Sequence, residues 1–582
     1  MNKKLQTRRH SCAHILAAAV QKLYPKTKFA IGPAIEEGFY YDFEFIEPLS
    51  ESNLAKIEKE MGKIVKADLA FKKKSVSIKE ARELFADQPY KLAIINQLNQ
   101  KKNEKVTLYQ IGNPSTDSGQ VFLDLCKGPH VKSTKEIGAF KLLSLAGAYW
   151  RGDEKNPMLS RIYGTCFEKE KELENYLEKR REAEKRDHRL IGQKLDLFSF
   201  HPEAAPGDVF WHHKGYLLMK KLMTFWRQEH QKRGYQEIRT PEILKNQIWQ
   251  KSGHLQSYTE KMYHVSSPDS DNWNMSIKPM NCNGGILVYK NSPKSYRDLP
   301  LRTGELGVVH RYESSGELHG IIRTREFTQD DAHIFCTKEQ IKSEIKAIID
   351  LCFYFYKTFN LKLDHMELST RPKKSIGSDA VWQEAEKVMK EIAEESQIDY
   401  QINAGDGAFY GPKFDFHLKD SLGRTWQCGT IQLDFAQPEN FELTYTDKKG
   451  ERIRPVMIHR VIYGSLERFL GILIEDCGGA FPFWLAPIQI IVIPITDNQI
   501  PYAQKIKQEL LNKNPSWQIV INEQSETASK KIRQAETQKI PYMFIVGKQE
   551  EKNHTINVRK RGEKVVGEMK VEKWQQTFEP QA

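Results

Sequence analysis

The chain is 582 residues long, 39% hydrophobic and 28% charged, with a formal net charge of +12 at neutral pH. At about 150 residues per domain it is too long for one hydrophobic core and should form roughly three or four units. No run approaches the roughly 18 apolar residues of a membrane span, and the eight scattered cysteines do not form a disulfide framework. The basic opening MNKKLQTRRH is followed by no apolar core with a small-residue cleavage site, so the expectation is a cytoplasmic protein without a membrane partner. The positive balance suits a polyanion such as nucleic acid.

The first element is a helix. Residues 9 to 16, RHSCAHIL, set His10 and His14 four apart, on one helical face. Zinc peptidases with this spacing need a Glu after the first His; Ser11 stands there, so peptide hydrolysis is not expected. Aromatic strands such as EEGFYYDFEF and the turns CKGPH and YWRGDEKN complete an α+β domain over residues 1–166. In DLCKGPHV, Cys126 and His130 again stand four apart. With the opening histidines they could bind zinc or surround a polar cleft without metal.

Residues 167–196 are dense in charge and helix formers, which predicts a solvated connecting helix. From 197 to 484, short apolar strands such as RTWQCGTIQLDF alternate with helices without regular βαβ order, which predicts a mostly antiparallel sheet with flanking helices. Over residues 485–582, IQIIVIPI, QIVINE and PYMFIVG alternate with helical stretches and predict a small α/β domain. The fold class is α+β, multidomain.

The middle region concentrates the chemistry. Cys282 in KPMNCNGGI, His333 in FTQDDAHIF and His459 in VMIHRVIYGSLERF make a possible zinc set of one thiolate and two imidazoles, leaving a coordination position open. Arg311, Glu313, Arg323 and Phe327 lie in one apparent strand–loop–strand segment. Arg forks grip phosphates, a carboxylate accepts from an adenine amine, and Phe offers a stacking face. Arg468 in GSLERF follows Gly464 and Ser465, where a ligand can approach the backbone. Together these describe a nucleoside triphosphate site without the usual Gly-rich loop. Tyr410 and Lys413 in GDGAFYGPKFDFHL and Gln427 and Gln432 in TWQCGTIQLDF lie between them.

These stretches carry a resemblance. MTFWRQEHQKRGYQEIRTPEIL with Pro241, RYESSGELHGIIRTREFTQDDAHIF and GSLERF resemble motifs 1, 2 and 3 of the class II aminoacyl-tRNA synthetases. With KPMNC and DDAH, the ordered set resembles the bacterial threonyl-tRNA synthetases over nearly the whole chain. The resemblance implies an editing domain over 1–166, a class II catalytic domain with an antiparallel sheet over 197–484 and an α/β anticodon-binding domain over 485–582. It further implies ATP-dependent ligation of L-threonine to tRNA(Thr) through a threonyl-adenylate, hydrolytic editing of mischarged Ser-tRNA(Thr), and a homodimer.

Carried over by motif, Cys282, His333 and His459 would hold one zinc ion per chain. Arg311 would bridge the amino-acid carboxylate and the α-phosphate. Glu313, Arg323 and Gln427 would contact Mg²⁺-bound ATP, while Phe327 and Arg468 would sandwich the adenine. Gln329, Asp331 and Tyr410 would surround threonine, and His254 in KSGHLQSY would lie near the terminal ribose of the tRNA. His10, His14, Cys126 and His130 form the editing signature, with Asp124, Tyr41 and Lys91 nearby. Arg533, Glu550 and Arg559 align with anticodon contacts.

Two departures stand out. The family usually carries a small ubiquitin-like domain ahead of the editing domain, which is expected to be absent here without loss of the chemistry. The family's Cys-Pro-x-His becomes Cys282, Asn283, Gly284, Gly285, which puts the local turn and the missing imidazole in question. Rival readings are a catalytically inactive RNA-binding relative and a synthetase for serine, proline or histidine. The intact arginines and zinc set weigh against the first, and the editing signature with DDAH against the second.

Overall fold

The computed structural model describes residues 3–101, 104–112, 122–153, 155–266, 273–396, 398–563 and 565–578. They divide into two compact units, Met1–Arg181 and Glu182–Ala582.

In the first unit the opening helix runs from Lys3 to Leu23, and every residue from Ser11 to Val20 is buried. Its second half, CAHILAAAV, is apolar on nearly every side and so must be enclosed. Here it packs against the helix Glu51–Lys66 and against the strands Gly38–Glu44 and Met158–Phe167. Those strands belong to a five-stranded sheet with Ala139–Tyr149 on one edge. A separate sheet joins Phe71–Ser77, Lys105–Ile111 and Phe122–Leu125 in antiparallel order. Asp124 lies in its last strand, and Cys126 and His130 follow in the chain segment that leaves it.

The expected single connecting helix is two helices, Glu170–Lys185 and His188–Leu195. The break has a local cause: Asp187 leaves the helical backbone conformation, and its side chain accepts the Arg189 N–H at 2.8 Å, which starts a new helix. His188 then turns inward, with Nδ1 2.6 Å from Glu475 Oε1 and Nε2 accepting the backbone N–H of Ile321 at 3.1 Å.

The second unit is built on an eight-stranded sheet. In order its strands are Gln236–Glu237, Leu301–His310, Glu326–Cys336, Val456–Val461, Thr425–Asp434, Lys413–Lys419, Lys362–Ser369 and Tyr400–Asn403. All neighbours are antiparallel except the two outermost pairs. Side chains alternate across a strand, so Phe327, Gln329, Asp331 and His333 share one face of Glu326–Cys336 while Asp330, Ala332 and Ile334 share the other. The two aspartates of DDAH therefore do different work. Asp330 is fully buried and accepts the backbone N–H groups of Ile462, Tyr463 and Gly464 at 2.9, 3.1 and 3.1 Å. That fixes the turn into the helix Leu466–Cys477, where Ser465 Oγ accepts the Arg468 N–H at 3.0 Å.

Residues beyond 484 form a five-stranded sheet. Ile519–Ile521, Ile490–Pro494 and Tyr542–Val546 are parallel, and Ile556–Lys560 with Val565–Met569 adds an antiparallel hairpin. Residues 557–563 of the basic segment NVRKRGEK, which shows no strand alternation of its own, lie in this hairpin. Among the described residues no helix is long and apolar enough to cross a membrane.

Candidate active site

A cavity of about 470 Å³ opens on the face of the large sheet that carries Phe327, Gln329, Asp331 and His333. Its walls also include Cys282, Arg311, Glu313, Arg323, Tyr410, Gln427, His459 and Arg468. The residues singled out in the middle of the sequence thus converge from four strands, two helices and the loops beside them. The exception is His254. It is fully buried, does not line the cavity, and bonds Ser252 Oγ through Nδ1 at 2.7 Å while Nε2 lies 3.7 Å from Cys282 Sγ. Burial pushes its pKa down to about 3, so the ring is neutral.

One end of the cavity is cationic. Arg311 lies over the Phe327 ring at 5.1 Å and is steadied by a bond from Nε to Pro279 O at 3.1 Å. Glu313 Oε2 accepts from Lys261 Nζ at 2.8 Å and from Arg323 Nη2 at 3.1 Å. Arg468 is held by the carbonyls of Ile322 and Gln427 at 3.2 and 3.4 Å. Three guanidinium groups and an aromatic face make a receptor for a planar ring bearing phosphates.

The other end carries metal-competent and polar groups. The His333 and His459 rings meet edge to face at 4.9 Å, and Tyr410 stacks on His459 at 4.8 Å while its hydroxyl donates to Gln432 at 2.6 Å. Asp331 Oδ2 accepts from Asn281 Nδ2 at 3.3 Å. Burial raises the Cys282 thiol pKa and lowers that of His333 well below the usual imidazole range. His333 Nε2 is buried with no hydrogen-bond partner among the described residues. A neutral imidazole with an unsatisfied nitrogen, a second imidazole and a thiol line one cavity and are the donor types a zinc ion takes.

The altered turn after Cys282 has a packing reason. The helix Cys282–Lys290 begins at this point, and a Cβ on Gly284 would come 2.5 Å from Thr240 Oγ1. A Cβ on Gly285 would come 3.2 Å from His333 Nδ1, so the His333 ring occupies ground that a side chain there would contest. Sequence reading missed Lys261 and Asp434. The first carries no motif, and the second ends a strand whose neighbours cannot be known without the sheet.

The first unit holds a separate cluster. The metal-capable atoms of His10, His14, Cys126 and His130 all lie within 4.8 Å of one another. Cys126 Sγ is 3.3 Å from Nε2 of both His10 and His130, while their Nδ1 atoms face Pro129 O at 3.3 Å and Ser11 Oγ at 3.0 Å. Burial holds His10 and His14 below the usual imidazole range and takes His130 down to about 2, and it raises the Cys126 thiol to about 11. The cluster is therefore electrically neutral. Behind it, buried Asp124 pairs with Lys91, accepts from Tyr41 OH at 2.7 Å and lies 3.4 Å from His14 Nδ1.

The three C-terminal candidates lie on different elements. Arg533 is exposed on the helix Ala528–Thr537, and half-buried Arg559 is paired with Met543 and Val565. Glu550 Oε2 accepts the Gly547 N–H at 2.9 Å and so caps its own helix.

Comparison with known proteins extends this geometry. Residues 263–477 match the tRNA synthetase class II core domain (G, H, P, S and T), residues 489–579 an anticodon binding domain, and residues 106–163 the threonyl and alanyl tRNA synthetase second additional domain. The chain is 52% identical over 565 residues to the threonine–tRNA ligase of Desulforamulus reducens, covering 97% of this chain and 86% of that one. It is 50% identical over 566 residues to the threonine–tRNA ligase of Acetivibrio thermocellus, with the same coverage. It also resembles the solved RNA binding domain of threonyl-tRNA synthetase from Cryptosporidium parvum, with a TM-score of 0.65 and 38% identity, covering 68% of this chain and 99% of that one.

Proposed function

The chain belongs to the threonine–tRNA ligase family of class II synthetases, and from that premise we propose that its large cavity makes threonyl-adenylate from threonine and ATP and passes the threonyl group to tRNA. The observation that carries this reading is the cavity itself. Arg311 and Phe327 stand at one end of a single strand face, and His333, against His459, stands at the other.

In this reading the adenine lies between Phe327 and Arg468, with Glu313, Arg323 and Gln427 around the nucleotide. Arg311 holds the threonine carboxylate against the α-phosphorus and stabilises the negative charge that builds there, a preorganised contribution that costs no reorganisation at the moment of reaction. The carboxylate attacks the α-phosphorus and pyrophosphate leaves; the terminal ribose hydroxyl of tRNA then attacks the adenylate carbonyl, forming the threonyl ester, with AMP as the leaving group carrying off the hydroxyl proton. Gln329, Asp331 and Tyr410 orient the amino acid. Cys282, His333 and His459 would hold zinc, which would supply a Lewis acid that recognises the threonine hydroxyl. A site that binds a hydroxyl rejects the isosteric valine by about 10⁴-fold or more.

Serine also carries that hydroxyl, and one methyl discriminates by only about 1–3 kcal/mol. We therefore assign His10, His14, Cys126 and His130 to hydrolysis of mischarged Ser-tRNA(Thr), with Asp124, Lys91 and Tyr41 bracing His14. Neutral imidazoles beside the Cys126 thiol can bind the terminal ribose or orient a water molecule. In the C-terminal domain Arg533 and Arg559 would contact the anticodon. The family reading also carries a homodimer. The test is Cys282→Ala, which should lose both tightly bound zinc and threonine-dependent exchange of pyrophosphate into ATP; stoichiometric zinc in that variant would remove Cys282 from the site.

A further inference from the structure

A third group of metal-competent side chains lies apart from both sites. His365 and Glu367 stand two apart on the strand Lys362–Ser369, so they share a face, and His417 on the neighbouring strand is paired directly with His365. One donor atom from each of the three lies within 4.8 Å of the others. We infer that His365, Glu367 and His417 form a binding site for one divalent transition-metal ion, with zinc as the chemically best suited occupant.

The argument begins with proton placement. His365 Nδ1 lies 2.8 Å from Asp364 Oδ2, and a carboxylate can only accept, so Nδ1 carries the proton. In the neutral ring Nε2 is then a bare lone pair, and it faces Glu367 Oε1 at 3.4 Å. His417 Nε2 faces the other carboxylate oxygen, Oε2, at 3.6 Å and has no hydrogen-bond partner among the described residues. The bare Nε2 of His365 is thus turned toward a carboxylate oxygen, with the unpartnered Nε2 of His417 beside the other, an arrangement that a cation among the three donors would stabilise.

A proton is the lesser candidate. Charge-assisted N–H···O bonds close to about 2.7–2.9 Å, well inside both separations. Two ligands of one tetrahedral zinc ion, with bonds of about 2.0–2.1 Å, stand roughly 3.3–3.4 Å apart, which is close to what is seen. The imidazole rings stack nearly parallel, 4.4 Å between centroids and 9° between planes, and the Nε2 atom of each faces the Glu367 carboxylate.

The surroundings are those of a built site. Asp364 fixes the His365 tautomer and is itself held by Lys419 Nζ at 3.1 Å. Asn403 Nδ2 donates to Glu367 Oε2 at 2.9 Å and sets the carboxylate plane. Asp364 behind His365 and Asn403 on Glu367 are partners of the kind that orient a metal's donors. The three side chains are 18–23% exposed, so an ion can enter and a water molecule can complete the coordination. The site shares no residue with Cys282, His333 and His459, although His417 is paired with Gln427, which lines the large cavity.

The test is metal binding by the full chain after stripping with chelator. Co²⁺, whose visible spectrum reports tetrahedral coordination, is titrated with equilibrium dialysis as the count. Wild type should take up one equivalent more than His365→Asn, Glu367→Gln or His417→Asn. Asp364→Ala, at a more exposed position, should keep the equivalent with affinity reduced about 10–100-fold. Equal uptake by wild type and all three ligand variants, with unchanged affinity in Asp364→Ala, would overturn the assignment.

Discussion

Asp434 Oδ2 lies 2.9 Å from His459 Nε2, and its other oxygen accepts the backbone N–H groups of Ala436 and Gln437 at 2.7 and 2.9 Å. The carboxylate is locked by its own chain, so it locks the imidazole: Nε2 must donate, and Nδ1 is left with the free lone pair. An asparagine here can still accept the two backbone bonds but offers its amide N–H groups to Nε2, which inverts the tautomer. Asp434→Asn should therefore weaken zinc binding by about 10–100-fold, read by competition with a chromophoric chelator. Unchanged affinity would mean that His459 does not bind metal through Nδ1.

The editing assignment makes a separable prediction. A His10→Ala, His14→Ala double variant should deacylate preformed Ser-tRNA(Thr) far more slowly than wild type while retaining threonine-dependent pyrophosphate exchange. Equal deacylation would reduce RHSCAHIL to the start of a helix.

The same cluster makes the first unit sensitive to acid. The folded pKa of His130 is depressed from the ordinary 6.5 to about 2, and those of His10 and His14 are lowered too, all by burial. A depressed group contributes stability above its unfolded pKa, and that stability is lost as pH falls below about 6.5, where only the unfolded chain takes up the proton. The neutral His130 imidazole adds a slope of about 1.4 kcal/mol per pH unit over that window, and His10 and His14 act in the same direction. Hydrogen exchange of the Ser11–Val20 amides should accelerate between pH 6.5 and 5 beyond the intrinsic trend, and His130→Gln should flatten the dependence. The same slope in both proteins would contradict it.

What the sequence disclosed followed the reach of its periodicities. His10 and His14 are legible as a pair because a helix repeats within four residues, and Phe327, Gln329, Asp331 and His333 because a strand repeats every two. Their motifs also carried the family, and with it the fold class. What pairs across strands was hidden: Asp434 beside His459, and His417 opposite His365, depend on registers that no local pattern records. The connecting segment was misread because one residue, Asp187, ends one helix and caps the next within an otherwise uniform charged run.

The central claim is that the large cavity activates threonine, and the most direct measurement is amino-acid-dependent exchange of pyrophosphate into ATP, run separately with all twenty amino acids. The account predicts strong exchange with threonine, measurable exchange with serine, which shares the hydroxyl, and none above background with valine, which has the shape without it. Exchange driven best by any other amino acid, or by none, would contradict it.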